Sequence, residues 1–181
     1  PVMAPLTHDG KGSMLNTNAD TIAGETAKAL ASLFDVTLVY CFEKKGVLNG
    51  VTIIDDYAHH PQEIAATLST AENYPHRELW CVFQPHTYTR TRALMDDFAR
   101  SPFCRGSCVL ADIYAARETD TLGISSSMLA EKIASLGTDA WYFPSFSEIE
   151  EFLLEKCGSG DLLITMGAGD VVNIGEQLLG N

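Results

Sequence analysis

Two short motifs hold most of the residues in this chain that could do chemistry. The first, residues 55–61, reads DDYAHHP, and the second, residues 83–92, reads FQPHTYTRTR. Together they bring two carboxylates, three histidines, two tyrosines and two arginines into about forty residues. This mixture of acidic, basic and aromatic side chains suits the binding of an anionic nucleotide and an amino acid.

Each motif follows an apolar, strand-like run and precedes a helix-like segment. Val51–Ile54 comes before the first motif and Leu79–Phe83 before the second. Strand, polar turn and helix in this order place both motifs at the carboxyl ends of neighbouring parallel strands, which is the edge where open α/β sheets bind ligands. We therefore expect five side chains to converge on one cleft: Asp56, Tyr57, His59, His86 and Arg90.

Strands alternate with helices along the whole chain, which predicts a three-layer α/β fold with a mostly parallel sheet and helices on both faces. The predicted strands are Val2–Leu6, Val36–Phe42, Val51–Ile54, Leu79–Phe83, Val109–Tyr114, Trp141–Phe143 and Asp161–Met166. The predicted helices are Asn18–Phe34, Pro61–Tyr74, Thr91–Ala99, Ser125–Leu136, Ser147–Cys157 and Val171–Leu179. We expect a polar loop at Thr7–Ser13, and antiparallel pairing of Val36–Phe42 with Val51–Ile54 across the turn between them.

Composition excludes several classes of protein. The 181 residues carry a net charge of −12, which argues against nucleic-acid or anionic-membrane partners. No apolar run approaches the roughly 20 residues of a membrane span, and the opening PVMAPLTHDGKG lacks the features of a secretory signal. The five cysteines show no zinc-type spacing, and we expect reduced thiols in a cytoplasmic protein.

From about residue 43 onward, the chain resembles the C-terminal domain of the Mur ligases, most closely the members that join L-alanine to UDP-N-acetylmuramate. The resemblance rests on four segments in order: Asn49–Leu68, Phe83–Ala99, Ala111–Glu118 and Leu162–Val171. It implies a Rossmann-like domain at 49–181, from an ATP-dependent ligase of peptidoglycan biosynthesis. No GxxxxGK[ST] phosphate loop occurs. The resemblance thus implies that UDP-N-acetylmuramate, and most of ATP and Mg²⁺, bind to domains outside this chain. We expect the isolated chain to be inactive.

The resemblance also implies roles for individual residues. Asp56 would accept hydrogen bonds from the ATP ribose, and Tyr57 would flank the nucleotide and line the substrate site. His59, His86 and Arg90 would hold alanine, with the guanidinium of Arg90 matching its carboxylate as a planar fork of donors.

Other interpretations of the same motifs stay open. His59 and His60 could cap the following helix, and Arg90 could be a solvated charge. Many relatives carry a second arginine where this chain has Thr87, so the carboxylate would be held less tightly here or would use another donor. The GAGD turn after the last strand reads as mainly structural, with Asp170 capping the final helix.

A metal site is a further alternative for the acidic and histidine residues. Asp55, Asp56, His59, His60 and His86 are ligand types that zinc or manganese uses. They lie on two loops and lack the i, i+4 histidine pair of a zincin helix. We therefore expect no dedicated metal site, and Mg²⁺ would arrive with the ATP phosphates.

The first part of the chain, Pro5–Leu48, resembles a different family, the acetylglutamate kinases. The pattern NxNAD at Asn16–Asp20 is its most specific piece, in which Asn16 would contact the acetylamino acid and Asp20 would orient catalytic lysines. The glycine-rich loop and the lysines of that family have no counterpart here. We therefore predict a chimera with a kinase-like fragment at 1–48. A non-catalytic stable module and an amino-acid kinase fragment are the alternative functions.

Overall fold

The computed structural model describes residues 6–8, 11, 14–16, 19–36, 48–101 and 106–180. The chain divides into two compact units, Pro1–Glu43 and Lys44–Asn181. In the first unit, β1 (Leu6–His8) pairs antiparallel with β2 (Met14–Asn16), and α1 (Ala19–Leu30) follows. The loop predicted from Thr7 onward is therefore wrong for Thr7 and His8, because their backbone pairs with Leu15 and Met14. The predicted strand Val36–Phe42 and its pairing lie outside the described residues, apart from Val36 itself.

The second unit is built on five parallel strands. They are β3 (Thr52–Asp56), β4 (Leu79–Phe83), β5 (Ser107–Leu110), β6 (Ala140–Tyr142) and β7 (Leu162–Met166), in the order β3-β7-β4-β5-β6. The helices are α2 (Pro61–Ala71), α3 (Tyr88–Ala93), α4 (Met95–Ala99), α5 (Ser126–Ser135), α6 (Phe146–Lys156) and α7 (Val172–Leu179). In the described part of the chain, no helix is long and apolar enough to cross a membrane.

Two hydrophobic clusters cover the two faces of the sheet. Phe83, Leu110 and Ile164 belong to one cluster with residues of α2, α4 and α5. The residues that alternate with them along the strands, such as Val82 and Leu163, belong to the other cluster with residues of α6 and α7. Because successive side chains of a strand point to opposite faces, this division confirms the predicted three-layer α/β fold.

The strand order corrects one expectation about the two motifs. The strands that precede them, β3 and β4, are not neighbours, because β7 lies between them and pairs with both. All five residues of β7 are buried, whereas β3 is partly exposed along its length. Placing the continuous apolar run LLITM at an inner position therefore removes more apolar surface from water than placing β3 there.

Several element boundaries also differ from the prediction, and two of these differences affect the second motif and the strand beside it. The helix expected at Thr91–Ala99 begins earlier, at Tyr88, and breaks at Leu94 (φ −112°, ψ 16°) into α3 and α4. Leu94 and Met95 both pack against the core at this break. The strand expected to reach Tyr114 ends at Leu110, and Tyr114 rejoins the sheet as an isolated parallel bridge with His86.

Candidate functional site

Three loops start at the same level along the carboxyl edge of the sheet. The backbone hydrogen bonds between the strands continue just beyond the strand ends. Gly167 N donates to Asp56 O at 3.0 Å, and Gln84 N donates to Met166 O at 3.0 Å. The loops that follow β3, β7 and β4 are thereby held side by side. They carry the DDYAHHP motif, the GAGD turn and the FQPH motif.

The two aspartates of the first motif have different partners. Asp56 Oδ1 accepts a hydrogen bond from Ala58 N at 2.9 Å, and Asp56 Oδ2 accepts one from Thr67 Oγ1 at 2.5 Å. Asp55 Oδ1 instead accepts from Thr165 Oγ1 of β7 at 2.8 Å. The carboxylate of Asp56 is thus fixed at the start of the loop, beside a cavity of about 410 Å³ that Tyr57 also lines.

One histidine of this motif caps a helix, and the ring of the other lies in the candidate site. His60 is the N-cap of α2, where its Nδ1 accepts from Gln62 N at 3.4 Å. Glu63 completes a capping box by accepting from the backbone N–H groups of His59 and His60, and the hydrogen bond from His59 N is the main cause of its lowered pKa. The ring of His59 instead lies 5.6 Å from that of Tyr57. The capping alternative therefore holds for the His60 side chain and not for the His59 ring.

His86 links the first motif to Arg90. Its ring centroid lies 5.8 Å from that of His59, and Arg90 Nη1 lies 3.4 Å from His86 Nδ1. A guanidinium can only donate, so Nδ1 of His86 accepts and the ring is neutral in this arrangement. Partial burial is the main reason that the pKa of His86 is lowered, and the charges of Arg90 and His59 lower it further.

The loop that carries His86 and leads into α3 is held in an unusual backbone conformation. Thr87 has φ +67° and ψ 143°, a region that β-branched residues rarely adopt. Its N–H donates to Tyr114 O at 2.9 Å, and its carbonyl accepts from Thr91 Oγ1 at 2.7 Å. Glu118 accepts from Thr89 N at 3.0 Å, and hydrogen bonds from Thr89 are the main cause of its lowered pKa. These bonds fix the first turn of the helix that carries Arg90.

Sequence reasoning missed how three residues hold this edge together: Gln84, Tyr114 and Asp170. The ring of Tyr114 stacks on that of His86, with centroids 5.6 Å apart and an interplanar angle of 27°. The cap predicted for Asp170 is wrong, because α7 has Val171 at its N-cap and Asp170 Oδ1 accepts instead from Gln84 Nε2. Gln84 and Tyr114 each lie within a motif segment, which is the only sequence signal that could have singled them out.

The structure brings Tyr57, His59, His86 and Arg90 together in one run of contacts beside Asp56, and their roles toward a ligand stay predictions. Asn16 lies in β2 and Asp20 in α1 of the other unit, where their roles also stay predictions. Among the described residues, no group of three or more His, Cys, Asp or Glu side chains could hold a metal ion.

Comparisons with known proteins bear on the second unit. The family model described as "Mur ligase, glutamate ligase domain" matches residues 41–169. A UDP-N-acetylmuramate–L-alanine ligase of Lachnospira eligens is 62% identical over 138 residues, which are 76% of this chain and 30% of that protein. The chain therefore spans less than a third of the length of this relative.

Two solved structures are similar in fold. A UDP-N-acetylmuramate-alanine ligase from Thermotoga maritima matches with a TM-score of 0.57 at 24% identity, over 72% of this chain and 26% of that one. A murein peptide ligase from Psychrobacter arcticus matches with a TM-score of 0.58 at 20% identity, over 76% and 28%.

The matches do not favour a kinase fragment or a non-catalytic module, and the kinase-like resemblance of the first unit stays a prediction. The family model spans residues 41–169, which include three of the four motif segments in full and most of the fourth. Through the glutamate ligase domain that covers residues 41–169, this chain belongs to the Mur ligase family.

Proposed function

We propose that this chain supplies the amino-acid site and part of the ATP site of a ligase that joins L-alanine to UDP-N-acetylmuramate in peptidoglycan biosynthesis. The observation that carries the proposal is the run of contacts His59, His86 and Arg90 beside Asp56 at one edge of the sheet. In the full reaction, ATP phosphorylates the muramate carboxylate and leaves as ADP, and the alanine amine then attacks the acyl phosphate and displaces inorganic phosphate. Domains outside this chain would hold the muramate and most of the phosphates.

The arginine end of the site suits the carboxylate of an amino acid. Arg90 is half-buried, and its neighbour His86 is neutral in this arrangement, so the His86 ring adds no positive charge that would compete with the guanidinium for an anion. A planar fork of N–H donors matches both oxygens of a carboxylate. The contribution of these residues to the reaction is orientation of the alanine amine toward the acyl phosphate.

The aspartate end suits a ribose. Each oxygen of Asp56 already accepts one hydrogen bond, and a carboxylate oxygen can accept a second, so both sugar hydroxyls would find an acceptor. Tyr57 is 68% exposed and lines the same cavity, where its ring can cover one face of a nucleoside. Magnesium would arrive with the ATP phosphates and be held mostly by domains outside this chain.

A domain replacement tests the proposal. The matching segment of the Lachnospira eligens ligase, 138 residues at 62% identity, is replaced by residues 44–181 of this chain. Phosphate release is then measured with UDP-N-acetylmuramate, ATP and, in turn, L-alanine, glycine and L-serine. We expect L-alanine-dependent turnover.

A folded hybrid that binds ATP and releases no phosphate with L-alanine would refute the proposal. The hybrid without its C-terminal domain is the control for background hydrolysis. Calorimetric titration of the isolated chain with ATP and with L-alanine measures what this chain contributes alone. We expect weak binding at most, since the phosphate loop lies outside it.

A further inference from the structure

The GAGD turn, Gly167–Asp170, is tied to the start of the FQPH loop by a pair of reciprocal hydrogen bonds. Gln84 Nε2 donates to Asp170 Oδ1 at 2.8 Å, and Gln84 Oε1 accepts from Asp170 N at 3.1 Å. Gln84 is only 4% exposed. Both ends of a buried amide are therefore committed to a single residue 86 positions away in sequence.

Gly169 places the same turn against the ring of Tyr114. A Cβ atom at position 169 would overlap Gln84 Oε1 and would lie 2.8 Å from Tyr114 Cγ. Real Cβ atoms do not approach other heavy atoms so closely, so only glycine fits here. The Tyr114 ring thus lies against the backbone of Gly169 and also stacks on the His86 ring.

The contacts form a continuous path from the GAGD turn to the guanidinium. The Gln84–Asp170 pair sets the position of the turn, Gly169 limits where Tyr114 can lie, and Tyr114 stacks on His86. His86 Nδ1 in turn contacts Arg90. Neither Gln84 nor Asp170 lies among the residues to which we assign contacts with alanine or ATP.

We infer that Gln84 and Asp170 are positioning residues for the amino-acid site, which act on His86 and Arg90 through Tyr114. The inference rests on the proposed function for its catalytic consequence, although the coupling of the pair to Tyr114 and His86 is testable without it. A pair that only stabilised the fold would change the melting temperature and leave the geometry of these rings unaltered.

A swap of the two side chains tests the coupling in the chain itself. Gln84→Glu sets two carboxylates against each other and removes the donor, whereas Asp170→Asn alone leaves an amide oxygen that can still accept from Gln84. The double variant Gln84→Glu/Asp170→Asn restores the bond between the two side chains with donor and acceptor exchanged, and the side chain at position 84 still accepts from the backbone N–H of residue 170. Nuclear Overhauser contacts between the Tyr114 and His86 rings report the geometry, and thermal melting reports stability.

We expect Gln84→Glu to lose the ring contacts, Asp170→Asn to keep most of them and the double variant to restore them. Gly106→Ala is the control, because its Cβ would lie 2.5 Å from Leu79 O near the opposite edge of the sheet. It should lower the melting temperature without altering the ring contacts. Unchanged contacts in folded Gln84→Glu, or no restoration in the double variant, would overturn the coupling.

The domain-replaced ligase gives the catalytic readout. A misplacement of about 1 Å in a reacting group can cost on the order of 100-fold, so Gln84→Glu should raise the apparent KM for L-alanine roughly 10- to 100-fold. The KM for ATP should stay near the parent value, and the double variant should recover the alanine KM. An unchanged alanine KM in a variant that has lost the ring contacts would overturn the positioning role. A parent hybrid that does not use L-alanine would refute the proposed function, while the ring contacts still decide the coupling.

Discussion

Replacing Arg90 by alanine is the most direct perturbation of the proposed amino-acid site. Arg90 lies on α3, where its guanidinium contacts His86 at 3.4 Å. That length is at the far limit of a hydrogen bond, so the contact contributes little to stability. Arg90→Ala should therefore leave the domain folded and remove mainly the interaction with the ligand.

The expected magnitude follows from the bond that is lost. A hydrogen bond to a charged partner is worth about 1.5–3 kcal/mol, which corresponds to a rise of about 10- to 150-fold in the apparent KM for L-alanine. Arg90→Lys keeps the charge and loses the planar fork, so its effect should be smaller and still measurable. The apparent KM for ATP should change little in both variants.

Steady-state kinetics of the domain-replaced ligase measures these values, and thermal melting confirms that each variant is folded. Arg92→Ala is the matched control, because Arg92 is exposed and lies two positions further along the same short helix, on a different face. Unchanged alanine kinetics in Arg90→Ala would remove Arg90 from the site. An equal effect of Arg92→Ala would show that the positive charge of this helix, and not hydrogen bonding by a positioned guanidinium, attracts the substrate.

Three other changes separate the remaining contributions. Asp56→Ala should raise the apparent KM for ATP in the same hybrid, and an effect confined to L-alanine would contradict its assigned role. His86→Asn should flatten the pH dependence of stability. Because the folded-state pKa of His86 is lowered, the unfolded chain binds the proton first, and the parent loses stability as the pH falls below about 6.5. The same pH dependence of the free energy of unfolding in parent and variant, measured by urea unfolding, would disprove this. Asp161→Ala should lower the free energy of unfolding by about 1.5–3 kcal/mol, since buried Asp161 Oδ2 accepts from Arg77 at 2.7 Å and from Gly158 N at 2.8 Å. An unchanged free energy of unfolding in Asp161→Ala would contradict this.

Local sequence patterns were enough to predict most of the elements. The bounds of β4 were predicted without error, because Leu79–Phe83 is a continuous apolar run. Pro61 was correctly placed at the first turn of α2, where its fixed φ and missing N–H are tolerated. The predicted bounds of an element were wrong where a tertiary contact decided them. Leu94, for example, packs against the core in the middle of the predicted helix.

By itself, the sequence determined the α/β class and the residues of the two motifs, because strand and helix periodicity and the order of motif segments are local properties of the chain. The tertiary structure alone decided that β7 separates β3 from β4 and that His60 caps α2 while His59 faces Tyr57 and His86. It also decided that Gln84 pairs with Asp170. These outcomes depend on which buried strand lies at the centre of the sheet and on contacts between distant loops, and no local pattern encodes such contacts.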